Sequence, residues 1–282
     1  RPRGSGLAHR VMFQAAYQDG SQPVEVFSPA GKDPARDWRL VGKVSRGYDK
    51  SVKGYVYAVA GNGTSRMQLP KDAKESLGLR QRYLVLQLLV HASPARPFAL
   101  ELAVTDSAGT KRRLVLSSSF QRLHCTPLHA QIPLTGLEHC RGRWMNLSVD
   151  VGGLVLGCFR AAPLATLDFL SLGPTCKVRK MFTMRAPLPS TAGPLGEQDG
   201  GGTMQPRHPS GSPETRRGVP GEPGVTHPLA ISPPAVAMEA LPPRMAFPPG
   251  VTPTPPAWVF SFSSVAAAAA AGGVVFSGQA GA

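Results

Sequence analysis

The chain has 282 residues, with 31 Lys and Arg against 17 Asp and Glu, 29 prolines and four cysteines. Charge and proline are segregated: residues 12–186 carry 24 basic and 12 acidic side chains, whereas residues 187–282 carry 18 prolines, 14 glycines, four arginines and five acids. The first part can bury one sizeable core and the second cannot offset its ordering entropy, so the positive charge belongs to a folded surface and not to a tethering tail.

Arg1 to Val11 is basic but lacks the apolar stretch of a secretory signal. The four cysteines (Cys125, Cys140, Cys158, Cys176) are therefore expected as reduced thiols. Strands are predicted at Val24–Phe27, Trp38–Val44 and Gly54–Ala60. Ala60–Arg66, AGNGTSR, lacks the Gly-Lys-Ser/Thr of a phosphate-binding loop, and a hairpin turn around Asn62-Gly63 is expected. Arg66–His91 is the densest stretch. Leu69-Pro70 ends an extended segment, Lys71–Leu77 reads as a short helical turn, and Gly78 is placed to take the left-handed conformation. Tyr83–Val90, apolar except at Gln87, has the length and composition of a strand covered on both faces.

Phe98, Leu100, Leu102 and Val104 alternate with less apolar residues, Asp106–Gly109 makes a hairpin loop, and Lys111–Leu116 forms the return strand. Leu128–Ile132, Trp144–Asp150, Leu167–Leu172 and Val178–Thr183 read as further strands, the second of them half-buried. Leu154–Phe159 reads as a helical turn weakened by Gly157. About nine or ten short strands with one or two short helices give an all-β, antiparallel sandwich of jelly-roll type. The expected organisation is a non-native or disordered leader over 1–11, a β-sandwich domain over 12–186 and a disordered Pro/Gly/Ala-rich tail over 187–282. Within that tail, Trp258–Gly278 is uncharged and holds the alanine run Ala266–Ala271; low-complexity sequence suits it better than a membrane anchor, because Ala, Gly and Ser supply little transfer energy.

His124, Cys125, His129, His139 and Cys140 resemble metal ligands only loosely, since adjacent strand residues point to opposite faces and zinc draws on spaced pairs. No nucleophile elbow, paired carboxylates or oriented histidine proposes an enzyme, and no cofactor, metal or small-molecule substrate is expected. The better candidates for a working surface are two basic clusters on predicted strands: Lys111, Arg112 and Arg113, and Lys177, Arg179 and Lys180. Alternate members share a face, Lys111 with Arg113 and Lys177 with Arg179, and such cations tile a rigid surface suited to an acidic partner. Each taken singly also fits a solvated strand face or a charge-protected edge.

Several segments in order resemble one family: VEVFSPAGKDP (24–34) with Trp38, YDKSVKGYVY (48–57), MQLPK (67–71), LGLRQRYLVLQ (77–87), KRRLVLS (111–117), TPLHAQIPL (126–134), WMNLSVD (144–150) and CKVRKMFTM (176–184). They resemble the domain of cilia- and flagella-associated protein 20, with Met12 where the family's chains begin. The resemblance implies a jelly-roll β-sandwich and a structural, non-catalytic role at ciliary or centriolar microtubules. One branch of that family sits on doublet microtubules, and another, fused to WD-repeat propellers, is associated with the centriole wall. The implied partners are tubulin or other axonemal proteins, and the implied location is the cytoskeleton at an axoneme or basal body, with no membrane. The alternative is a basic sandwich that binds nucleic acid, which requires cations interleaved with exposed aromatics; the aromatics here are expected mostly at buried positions of the alternation. A carbohydrate-binding role follows from jelly-roll analogy alone, and fold does not fix function.

Overall fold

The computed structural model of the protein describes residues 10–188 apart from 19, 21, 62 and 161, together with 241–253, 258–270 and 275–277. The regular elements, in chain order, are β1 (Arg10–Val11), β2 (Val24–Phe27), β3 (Arg39–Val41), β4 (Lys43–Asp49), β5 (Gly54–Ala60), β6 (Arg66–Leu69), β7 (Glu75–Ser76), β8 (Tyr83–Val90), β9 (Ala99–Asp106), β10 (Lys111–Ser117), β11 (Arg122–Cys125), β12 (His129–Pro133), β13 (Trp144–Asp150), α1 (Val151–Phe159), β14 (Leu164–Leu172), β15 (Cys176–Met184), β16 (Trp258–Phe260), α2 (Phe262–Ala270) and β17 (Val275–Ser277).

Two sheets form the sandwich. One has eight strands in the order β17-β11-β12-β10-β9-β14-β6-β3; the other has seven, β16-β13-β8-β15-β5-β4 with β2 also paired to β15. Most pairings are antiparallel, but β10–β12, β13–β16 and β11–β17 are parallel. The period-two pattern explains the core: Leu100, Leu102 and Val104 of β9 face Leu84, Leu86 and Leu88 of β8, all fully buried in one cluster. Each such side chain contributes about 1.5–3 kcal/mol of transfer free energy.

The expected strand Trp38–Val44 is split in two by Gly42, at φ 72°. There the chain leaves the eight-stranded sheet as β3 and enters the seven-stranded sheet as β4. The expected hairpin around Gly63 is likewise a corner, because β5 and β6 belong to different sheets; Asn62 itself lies outside the described residues. The two corners touch. The Lys43 N–H donates to Ser65 Oγ at 3.1 Å, and a Cβ on residue 42 would stand 2.5 Å from that oxygen.

Lys71–Leu77 is not helical. Asp72 accepts from the Lys74 N–H at 2.9 Å in a side-chain turn, after which Glu75 and Ser76 pair in parallel with β1. Gly78 does adopt positive φ, at 67°, and the flanking Leu77 and Leu79 are fully buried. The helix expected at Leu154–Phe159 begins earlier, at Val151, because the Asp150 carboxylate caps it by accepting from the Gly153 N–H at 2.9 Å. Gly157 does more than lower helix propensity: a Cβ there would collide with the Phe262 ring, so the glycine lets α2 lie on α1.

The largest departure from expectation concerns β13 and the stretch after residue 187. β13 is buried along its whole length, not on alternate residues. Its outer edge and face are covered by residues that composition assigns to a disordered tail: β16 pairs with Leu147–Val149, Phe260 is fully buried, and Met245 is 1% exposed. A few large side chains (Met245, Phe247, Phe260, Phe262) set among prolines are enough to anchor a segment whose average composition is that of a linker. The remainder of 187–282, including residues 189–240, lies outside the described residues, as does most of the 1–11 leader. No described helix is long and apolar enough to cross a membrane, and Ala266–Ala270 belongs to the nine-residue α2.

Candidate partner-binding faces

Among the described residues, no segment covers the outer face of the eight-stranded sheet as one covers the other sheet. On β10, Lys111 and Arg113 point outward while Leu114 and Leu116 enter the core. Arg113 Nε donates to Glu101 Oε1 at 2.7 Å, a cross-strand pair that is half exposed. Arg39 on β3, Arg66 on β6 and Arg122 on β11 are exposed cations of the same sheet. Two adjoining grooves of about 450 Å³ each cross this face. Gln68 and Phe169 line both; Arg39 and Lys111 line the first, Arg66 and Arg113 the second. Three acids line the first groove, Asp72, Glu75 and Asp168; Asp168 is engaged by two hydroxyls, Ser76 Oγ at 2.7 Å and Thr105 Oγ1.

Arg112 does not join this face. Its guanidinium turns inward, donates to Asp106 Oδ2 through Nε at 2.9 Å and Nη2 at 2.8 Å, and lies 5.0 Å above the Phe159 ring. It also donates to the Pro127 carbonyl. The fully buried Asp106 side chain accepts from the Thr110 and Ala108 N–H groups as well, and these donors hold its carboxyl below the usual carboxylate range, the Thr110 contact most. Arg112 therefore fastens the β9–β10 hairpin to the end of α1.

The second basic cluster lies on the other sheet, so no single face collects all six residues. A bulge in β15 falls between Val178, opposite Leu88, and Lys180, opposite Gln87. It turns Arg179 and Lys180 outward together while Val178 and Met181 both reach the core. All three cations there have partners. Lys177 Nζ meets Asp49 Oδ2 at 2.8 Å, and Lys180 Nζ meets Glu25 Oε2 at 3.1 Å. Burial raises the Asp49 pKa, but the hydrogen bonds from Lys177 and Ser51 outweigh it and leave the carboxyl below its ordinary value. Arg179 donates to Gln87 Oε1 and to the Ala246 carbonyl at 3.0 Å, with its guanidinium carbon 5.3 Å over the Phe247 ring; burial pushes its pKa down.

The loose metal-like group is dispersed over β11, β12 and the 3-10 turn Leu137–Cys140, and among the described residues no three His, Cys, Asp or Glu side chains are placed to hold a metal ion. Cys125 instead interacts with Cys158 of α1, which lowers the Cys125 pKa and, with burial, raises that of Cys158. Burial, with Arg113 nearby, lowers the His129 pKa and favours the neutral imidazole.

Aromatic residues are less uniformly buried than alternation suggests. Tyr48 and Tyr55, 60% and 51% exposed, meet edge to face on the β4–β5 hairpin, with Arg46 4.3 Å above Tyr55. They belong to the seven-stranded sheet, so they do not interleave with the cations of β10. The carboxylates that pair with the predicted cations (Glu101, Asp106, Asp49, Glu25) escaped the sequence reading. Only Glu101 and Asp106 lie close enough along the chain, across one hairpin, to have been found from register.

The fold is a β-sandwich with strand-borne cations on one outer face and a segment of its own chain lying on the other. The chain belongs to the CFA20 domain family, whose model matches residues 12–191; the family is a cilia-associated, non-enzymatic one. It is 30% identical to human WD repeat-containing protein 90 over 128 residues, which is 41% of this chain and 7% of that protein. It is 26% identical to the mouse protein of the same name over 155 residues, 50% of this chain and 8% of the relative. The chain thus matches less than a tenth of the length of these relatives. A solved exo-β-agarase structure aligns over 57% of this chain and 24% of its own at 9% identity, and its TM-score of 0.31 is too low to carry an argument.

Proposed function

We propose that the domain is a non-catalytic ciliary module that docks on microtubules through the outer face of its eight-stranded sheet, at an axoneme or basal body. The observation that carries this reading is the placement of Arg39, Arg66, Lys111, Arg113 and Arg122 on one rigid, open sheet. Spaced along strands, these cations match a flat acidic surface such as that of tubulin, and membership of a cilia-associated family supplies the setting. The second cluster contributes less, since Lys177, Arg179 and Lys180 already have partners within the chain.

Co-sedimentation of the purified chain with microtubules tests the proposal. Pelleting is expected at low salt and is expected to fall steeply as ionic strength rises. A combined Arg39→Glu, Lys111→Glu, Arg122→Glu chain is expected to pellet at least tenfold more weakly. Failure of the folded wild-type chain to pellet at low salt removes the reading, and a steep salt slope for oligonucleotides without one for microtubules transfers the face to nucleic acid.

A further inference from the structure

The outer face of the seven-stranded sheet is covered by residues 241–251, LPPRMAFPPGV, in a manner unlike core packing. Among its described hydrogen bonds to the sheet, none belongs to a backbone ladder. Instead, side chains of the domain reach its carbonyls: Lys180 Nζ to Arg244 O at 2.7 Å, Gln87 Nε2 to Met245 O at 2.7 Å, Arg179 Nη1 to Ala246 O at 3.0 Å and Lys53 Nζ to Pro249 O at 3.4 Å. Prolines at 242, 243, 248 and 249 remove N–H groups and restrict the backbone, so a segment of this composition offers mainly carbonyls, and the face presents mainly donors.

The apolar contacts are two discrete anchors. Met245 enters a patch made by Tyr83, Val85, Phe182, Met184 and Leu188. Phe247 sits edge-on to Trp144, centroids 6.2 Å apart, beneath the same Arg179 that binds Ala246 O. An apolar patch flanked by an arginine, an amide and a lysine that bind main-chain oxygens has the anatomy of a peptide interface. Gln87 is fully buried and its amide is spent on Asn146 Oδ1 and the Met245 carbonyl. A strand needed only for the sandwich has no use for such a group.

We propose that this face is a peptide-binding site for short proline-flanked segments carrying a Met-x-Phe pair of anchors, presented by a partner protein, and that residues 241–251 are its displaceable occupant in cis. Tethering gives the chain's own segment a millimolar-scale effective concentration, so a free peptide competes only when the cis anchors are weakened. This site is separate from the open basic face, and its fate does not depend on that of the microtubule reading.

The test uses the full chain and a fluorescent peptide of residues 239–253 as probe, followed by anisotropy. The chain carrying Met245→Ser and Phe247→Ser is expected to bind the peptide at least tenfold more tightly than the wild-type chain. A scrambled peptide of the same composition is expected not to bind, and adding Arg179→Ala is expected to weaken binding at least tenfold. Equal binding of peptide and scramble by the folded double variant overturns the proposal. So does loss of its near-ultraviolet circular dichroism and cooperative melt, because the segment is then an integral part of the core and not a ligand. The milder Phe247→Ala chain reads the same way: it is expected to stay folded and to bind the probe more tightly than wild type, and no gain overturns the idea.

Discussion

The two outer faces of this sandwich carry similar strand-borne cations and put them to opposite use. On the eight-stranded sheet, Lys111 and Arg113 stand on an open surface whose neighbours include small residues, Ala99 and Ala103, and grooves. On the seven-stranded sheet, Arg179 and Lys180 are turned outward by a bulge and then bound by the chain's own carbonyls. A count of basic residues on strands cannot separate the two cases. What separates them is the residue type that follows the cations along the strand: Phe182 and Met184 continue the outward face of β15 as apolar side chains, and they demand a cover. The basic side chains were the visible signal, but the apolar ones beside them decide which face is free.

Replacing Phe182 with Ala attacks that contrast most directly. Because Phe182 is fully buried although it faces outward, the substitution is expected to cost about 3–5 kcal/mol of unfolding free energy in urea titrations. A cost below about 1 kcal/mol, the range for surface substitutions, would falsify the covered-face description. The cations themselves give a smaller and paired comparison. Arg179→Ala removes charged hydrogen bonds to Gln87 and Ala246 and is expected to cost about 1.5–3 kcal/mol. Arg113→Ala, on the open face, breaks only a half-exposed pair with Glu101 and is expected to cost between about 0 and 1 kcal/mol. Equal losses for the two variants would erase the distinction between the faces.

The smallest effect is confined to acid. Since the folded-state pKa of Asp49 lies below its ordinary value of 3.8, the stability it contributes with Lys177 and Ser51 is complete above that value and is lost as pH falls through the folded-state pKa. Unfolding free energies measured at intervals downward from neutral pH are expected to show a shallower acid decline for Asp49→Asn than for the wild-type chain. An unchanged slope would show that Lys177 is not engaged in solution, returning it to the pool of exposed cations.

Much of the architecture was readable because the chain obeys a period of two wherever one face is core and the other is water. β8 is legible with its bounds as a continuous apolar run of strand length, and β9, β10, β14 and β15 to within a few residues from apolar patterning and turn chemistry. Gly78 and Gly109 were recognised as turn positions, and both have positive φ. The failures share a cause: each depended on contacts distant in sequence. β13 looked half-buried because Asn146 and Ser148 are polar, yet residues far along the chain cover them. Gly42 and the Ser65 corner read as strand and hairpin because nothing local states that the sheet changes. Of the six site residues, alternation sets Lys111 and Arg113 on one face and Arg112 on the other with Leu114 and Leu116, as the structure has them; the buried Asp106 that Arg112 meets there is a tertiary fact. The bulge that puts Lys180 beside Arg179 leaves no mark in composition.

The separation between Gln87 and the Met245 carbonyl it binds has a consequence in time. Every strand of the seven-stranded sheet except β16 is complete once Met184 has been synthesised, and the covering segment starts about 57 residues later. At translation speeds of about 5–20 residues per second, the nascent domain shows its apolar patch for roughly three to ten seconds before its own cover exists. Each new molecule therefore passes through an interval in which Tyr83, Val85, Phe182 and Met184 face solvent or a chaperone, and whatever meets them first does so without a competitor.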